Sequence, residues 1–469
     1  MNLPTSLPIK LNLHRAQLSA LLLIPCAIAV ITLSDIASLF DQNQLLAACL
    51  IISALILFAT SAIPEHITAL IFMVSAMLLA LAPAEVVFSG FTSTACWLIF
   101  SGLIIGIAIN ETGLAKRIAH TFVGRLDSSY AKLISGIVIM ATLLGFLMPS
   151  SMGRAVIFIP IAMAIASGCG FSKESNGYIG VALAAAFGCH VPTFAILPAN
   201  VPNMVLIGSA ESIYNWVPLY AEYLLLHFPV LGILKAILII GLILWLYPDT
   251  PKRSNNQQPV PSISDAEFKL IAVMFITLSF WLTDSLHQIS AAWIGLTAAC
   301  FLLMPGIGLV SQESFNSKLK MGSLIFVVGI LGLGSLINHS GIGEISGTLL
   351  NNWLPLSPDQ SFLSYLSLAF TAFVTGVFTT LPGVPAVLTP FAEQMSLNSG
   401  FSLEAVLMTQ VLGFSTILFP FQSAPLIVGM QLAGVPIKHA AKVCLISTPL
   451  ILLIFYPLDY LWWCLLDWI

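Results

Sequence analysis

Long apolar stretches alternate with short polar clusters along almost the whole chain. Apolar runs lie near 17–33, 44–60, 67–82 and 96–110. After a mixed amphipathic stretch at 113–127, further runs occupy 129–147, 152–168, 177–198, 203–210 and 222–247. A polar break, "YPDTPKRSNNQQPVPSISD", rich in Pro, Ser, Asn and Gln, then divides the chain into halves. Beyond it come 266–283, 291–305, 321–338, an interfacial 342–354, 361–378, 384–398, 402–418, 425–432 and 443–466. Many runs approach the roughly 20 residues that cross a ~30 Å hydrocarbon layer. The pattern predicts an all-α polytopic membrane protein of about 11 transmembrane helices plus two re-entrant hairpins, 129–168 and 361–398, and two broken helices, 177–210 and 402–432.

Composition agrees. Of 469 residues, 58% are hydrophobic and only 8% charged, against about 25% charged in soluble domains. So few charges cannot cover a soluble surface. The net charge of −4 gives no reason to expect a nucleic-acid partner. Eight cysteines lie singly in apolar segments, without a CxxC or Cys/His cluster, and read as small buried hydrophobes. The run from Gln17 to Leu33, behind Lys10 and Arg15, reads as a first transmembrane helix rather than a signal peptide.

Charge sets the orientation. With the N-terminus in the cytoplasm and each hairpin entering and leaving on one side, the loops left outside hold Asp35, Asp41, Glu85, Glu211, Asp284, Glu344 and Asp359, without Lys or Arg. This fits a multi-pass protein of the cell (inner) membrane with a cytoplasmic linker at 248–264. Arg154 and Lys235 are the two basic residues that refuse the cytoplasmic side. A charge at the centre of a membrane helix costs roughly 2.5–3.5 kcal/mol on insertion scales, so both need a reason.

The two halves carry one motif twice. "LIIGIAINETGLAKRIAHTFVGRL" (103–126) and "ILGLGSLINHSGIGEISGTLLNNWL" (330–354) both run from a Gly-rich helix into N-x-[ST]-G-[LI], at Asn110 and Asn338. Next come "GFLMPSSMGRAVIFIPIAMAIASGCGFS" and "GVFTTLPGVPAVLTPFAEQMSLNSGFS", then the proline-interrupted "GCHVPTFAILPANVPNMVLIG" and "GFSTILFPFQSAPLIVGM". The motifs start on opposite sides of the membrane and form an inverted repeat. Matched interrupted segments in inverted halves point to a transporter's binding site. The expected units are scaffold helices (1–88), a first repeat (89–220), scaffold helices with the linker (221–315), a second repeat (316–432) and a C-terminal helix (433–469). Ser150 and Ser151 are placed to cap the helix near Met152, and Thr379 or Thr380 the one near Pro382. Four helix N-termini converging at mid-depth would hold an anion without any cofactor.

These elements resemble the divalent anion:sodium symporter family, carriers of dicarboxylates, citrate and sulfate. The resemblance covers nearly the whole chain: "SAIPEHITAL" at 61–70, both N-x-[ST]-G elements, both hairpins, and the breaks "LPANVPN" and "FPFQSAP". It implies a secondary active transporter working as an elevator, with a transport domain of hairpins and broken helices and a scaffold that dimerises. It also implies substrate oxygens between the tips, with sodium held by tip side chains and helix-break carbonyls, here around Ser150, Ser151 and Ala199 and around Thr380 and Ser423. Members carry Ser-Asn-Thr at each tip. This chain has Ser150-Ser151-Met152 and Thr380-Leu381-Pro382, so two amide oxygens are missing and sodium coupling is set against proton coupling or exchange.

Arg154, one turn past the first tip, has two readings. It grips a carboxylate or sulfate with its planar fork, or it stands as a fixed positive charge where a sodium ion would be. Asn200, Asn203, Gln422 and Ser423 sit at matching places in the breaks and join Ser150, Ser151, Arg154, Thr379 and Thr380 as the expected substrate site. His190, ahead of the first break, is a candidate proton carrier. Lys235 either snorkels outward or pairs with an acidic residue. An intramembrane enzyme finds no repeat-consistent Ser/His pair or metal set, an anion channel finds no uninterrupted lined path, and no nucleotide-binding motif supports pumping by ATP.

Overall fold

The computed structural model describes residues 15–114, 117, 129–148, 150–251, 262–306, 308–343 and 354–469. Most of the amphipathic 113–127 and interfacial 342–354 stretches, and the middle of the 248–264 linker, lie outside them. Among the described residues the regular structure is helical, and ten helices are long and apolar enough to cross a membrane. The main helices are α1 (Arg15–Leu33), α2 (Gln42–Thr60), α3 (Glu65–Leu78), α4 (Thr94–Thr112), α5 (Tyr130–Leu147), α6 (Ser151–Gly168), α7 (Asn176–Gly188), α8 (Val201–Tyr214) and α9 (Tyr220–Leu246). The second half supplies α10 (Asp265–Leu282), α11 (Ala291–Leu303), α12 (Met321–His339), α13 (Ser361–Phe378), α14 (Gly383–Leu388), α15 (Ala392–Ser399), α16 (Leu403–Phe414), α17 (Ala424–Ala433) and α18 (Lys438–Leu465).

Helix starts follow side-chain chemistry. Asp41 and Gln44 form a capping box on α2, and Ser264 and Glu267 one on α10. The repeated Gly-Phe-Ser marks where each hairpin ends: Gly170 and Gly400 take φ of 76° and 75°, a left-handed conformation that favours glycine. Ser175 and Ser402 then cap α7 and α16 by accepting from the N–H groups of Tyr178 and Ala405.

Packing repeats as the sequence does. The first arm of each hairpin lies on the first half of its own repeat's broken helix, α5 on α7 and α13 on α16. The second arms cross over: α6 packs on α17, and α14 on α8. Each break is therefore enclosed by both repeats. Glycines permit the closest approaches: a Cβ on Gly188 would lie 2.9 Å from the Ala141 Cβ, and one on Gly413 2.3 Å from the Ala372 Cβ. Helices α2, α3, α4, α11 and α12 pack on one another, with α4 and α12 packing also on α8, while α1 sits at the periphery with 6% of its span buried.

Candidate functional site

The first hairpin turns at Met148, whose backbone is extended, and restarts at Ser150. Ser150 caps α6 as expected, its hydroxyl accepting from the Gly153 N–H at 3.1 Å. Ser151 is buried in the first turn. The second tip differs. Thr379 and Thr380 do not cap α14: the Thr379 hydroxyl donates back to the carbonyls of Thr375 and Thr380, and Pro382, already in a helical conformation, occupies the cap position. A threonine at a helix C-terminus can reach the carbonyl four residues earlier, and here that bond wins over the cap. Thr380 Oγ1 is left without a hydrogen-bond partner. It opens on a cavity of about 10 Å³ walled by Leu55, Phe58, Ala59, Ile330 and Leu333 of α2 and α12. Among the described residues none from the first tip lines that cavity.

Arg154 is fully buried, and its whole guanidinium is engaged. Nε and Nη2 donate to the Cys189 carbonyl at 3.0 and 2.8 Å, where α7 ends. Nη1 donates to the carbonyl of Met148, where α5 ends, and to that of Ala199 at 3.1 Å, just before α8. Nη2 also reaches Thr193 Oγ1 at 2.8 Å and Asn200 Oδ1 at 3.5 Å. No N–H remains to fork onto a carboxylate, and the gripping reading of Arg154 does not fit this geometry. The charge instead closes a cage of carbonyl oxygens at two helix C-termini, the negative ends of their dipoles.

The other amides brace the breaks. Asn200 Nδ2 donates to Thr193 Oγ1 at 3.1 Å, and Asn203 Nδ2 to the carbonyls of Phe194, Ile196 and Leu197 at 3.0, 3.0 and 3.3 Å. In the second break Gln422 Oε1 accepts from the Leu418 and Phe419 N–H groups at 2.9 and 2.7 Å, while its Nε2 donates to the Gly376 carbonyl at 2.6 Å. Ser423 caps α17 through the Leu426 N–H. Unwound backbone inside a membrane protein must be satisfied by protein, and these side chains do that work. His190 is buried against the Phe194 ring, and both its nitrogens lack hydrogen-bond partners.

Lys235 is fully buried and corrects both of its readings. It neither snorkels nor forms an ion pair, but donates to the Ser415 carbonyl at 3.1 Å and hydroxyl at 2.8 Å. Ser415 ends α16 as Cys189 ends α7. Each broken helix thus points its carbonyl end at a buried cation. Thr193, which joins Arg154 to Asn200, is the residue sequence reasoning missed. Its signal was its place five residues past Gly188, the last residue of α7, inside an interrupted helix.

Comparison with known proteins agrees with this architecture. Residues 55–413 match the family described as citrate transporter. A membrane protein of Cupriavidus necator is 25% identical over 343 residues, covering 71% of this chain and 66% of that relative. Dicarboxylate transporter 2, chloroplastic, of Spinacia oleracea is 26% identical over 72% of this chain and 62% of its own length. The chain thus spans less than two thirds of the length of these two relatives. The L-tartrate/succinate antiporter of Escherichia coli K12 is 23% identical over 72% of each chain. The crystal structure of the Alcanivorax borkumensis YdaH transporter shares the fold with a TM-score of 0.54, at 13% identity, over 90% of this chain and 98% of that one.

Proposed function

The chain belongs to the citrate transporter family, and from that premise we propose that it is a secondary carrier, not an enzyme, that exchanges small dicarboxylates across the membrane without sodium. The observation that carries this reading is the Arg154 guanidinium. It is held by the carbonyls of Met148, Cys189 and Ala199, in a cage that would otherwise suit a metal cation. A tethered charge cannot be released with the substrate, so the loaded carrier keeps its positive centre throughout the cycle. Such a carrier returns across the membrane bound to another anion, which is exchange. Lys235 at Ser415 gives the second repeat the same arrangement. The names of the spinach and Escherichia coli relatives, a dicarboxylate transporter and a tartrate/succinate antiporter, point to the same substrate class.

In this reading the substrate oxygens lie between the tips, at Ser150 and Ser151 on one side and Thr379 and Thr380 on the other. Asn200, Asn203, Gln422 and Ser423 hold the breaks in shape behind them. In the same reading the hairpins and broken helices carry the substrate by an elevator-type movement against the scaffold. The scaffold is assigned the homodimer contact, and the bilayer is the remaining partner. The test is counterflow in proteoliposomes with labelled succinate, tartrate, citrate and sulfate, each in sodium and in choline medium. Exchange predicts uptake stimulated by internal dicarboxylate and equal in both media. Uptake into empty vesicles that rises steeply with sodium would overturn it.

A further inference from the structure

A second group of buried ionisable side chains lies away from the tips, where α9, α13 and α18 meet. Asp459 of α18 is fully buried. Its Oδ2 accepts from the Tyr365 hydroxyl at 2.9 Å, and its Oδ1 has no hydrogen-bond partner. His227 of α9 is fully buried, with neither ring nitrogen bonded, its ring beside Tyr223 and 5.8 Å from that of Trp463. Lys235 lies two turns further along α9, within electrostatic reach of both Asp459 and His227. Its ammonium spends two bonds on Ser415 and borders a cavity of about 10 Å³ lined otherwise by residues such as Phe187, Ile239 and Ile451, near the volume that admits one water.

The backbone is irregular on both sides of this group. Helix α9 takes a π turn over Phe228–Leu234 and α18 over Ile451–Phe455, beside Pro229 and Pro449, which lack an N–H to donate. Single π turns inside α-helices occur often at functional sites. Unpaired ionisable groups in a membrane interior are expensive, and where they persist they mark ion or proton pathways.

We propose that Asp459, His227 and Lys235 form a proton-binding site, distinct from the tips, whose proton is held by the Asp459 carboxyl. The step is simple protonation: a proton from water adds to the carboxylate, no other bond breaks and nothing is oxidised. The groups that face Asp459 are Lys235 from α9, Tyr365 from α13, and Tyr456 and the Trp463 indole from α18 itself. Of these, Lys235 is the sole cation among the described residues. Protonation removes a negative charge within electrostatic reach of Lys235, and through the Lys235–Ser415 bond it changes the charge balance at the carbonyl end of α16. Through Tyr365 it also alters the hold on the first arm of the second hairpin. The site deepens the exchange reading by supplying the ion that a sodium-free carrier can still couple to, and it rests on that reading only for its role in transport.

The test uses the full chain in liposomes, with labelled succinate exchange followed across about pH 5–8. Wild type is expected to change rate by up to about tenfold per pH unit over part of this range, and Asp459→Asn by less than about twofold over the whole of it, as a one-proton titration requires. Tyr365→Phe, which keeps the carboxyl but removes its hydrogen bond, is expected to move the midpoint while preserving the slope. Infrared difference spectra between acid and neutral pH supply a readout independent of transport: a carboxylic C=O band in wild type, shifted in Tyr365→Phe and lost in Asp459→Asn. If Asp459→Asn fails to fold, the Tyr365→Phe shift in band and midpoint decides. An unaltered profile and band in Tyr365→Phe overturns the site, whatever sodium does. Steep sodium dependence alongside a pH profile that moves with Tyr365→Phe overturns sodium-free exchange and leaves the proton site standing.

Discussion

At the residue scale, Arg154 is a buried charge that forms no ion pair among the described residues, and its balance comes from backbone dipoles. Truncation to alanine strands the carbonyls of Met148, Cys189 and Ala199 in the interior, at about 1–3 kcal/mol for each unsatisfied group. Arg154→Ala is therefore expected to melt well below wild type in detergent and to lose exchange. If the guanidinium occupies a cation's place, sodium chloride should restore part of the lost melting temperature in Arg154→Ala, relative to choline chloride, and leave wild type unmoved. An identical sodium response in the two proteins would count against the stand-in role. Arg154→Lys keeps the charge but not the fork, and one ammonium cannot reach three carbonyls at once, so it should recover only part of the stability.

At the element scale, each broken helix sits on its own hairpin through a glycine. The approach is closer in the second repeat, where a Cβ on Gly413 would meet not only the Ala372 side chain but also its backbone carbonyl carbon at 2.4 Å. On Gly188 the nearest atoms are the Ala141 Cβ at 2.9 Å and the Val138 backbone at 3.1 and 3.2 Å, so both approaches are rigid but the one at Gly413 is tighter throughout. Gly413→Ala should therefore destabilise the protein more than Gly188→Ala, by about 1–3 kcal/mol as overpacking does. Thermal unfolding of the two purified variants checks this, and equal melting temperatures would contradict it. The repeats are thus alike in topology and unlike in tolerance.

At the scale of the whole molecule, the charge asymmetry makes a claim about orientation. Every outer loop in the proposed topology lacks Lys and Arg, whereas Lys252 and Arg253 lie in the central linker and Lys438 and Lys442 fall at the start of α18. A reporter fused at Asn255 is expected to read cytoplasmic, and one fused after Trp468 periplasmic. The reverse result would overturn both the orientation and the inverted relation of the repeats. Lys235 lies outside this count because its ammonium is spent inside the protein on Ser415.

Sequence alone determined the elements and their repetition. Hairpin arms read as 129–147 and 152–168 are the helices Tyr130–Leu147 and Ser151–Gly168, and the paired breaks fall where prolines interrupt otherwise continuous apolar runs. These features are local: run length, a capping serine, a proline without an N–H and a left-handed glycine each act within a few residues. The Ser150 cap was legible for that reason. The fate of Arg154, Lys235 and the threonines of the second tip was not, since each depends on which acceptor lies closest in space. Arg154 meets Cys189 and Ala199 because α7 and α8 break beside the first hairpin, 35 and 45 residues along the chain. Lys235 finds Ser415 across 180 residues, and Asp459 meets Tyr365 across 94. The sequence could show that these buried charges needed partners. Only tertiary packing, of the first hairpin on its own repeat's broken helix and of α9 beside the end of α16, decided that Arg154 and Lys235 would find theirs in carbonyl ends of broken helices, where the alignment of backbone dipoles makes a negative site without any carboxylate.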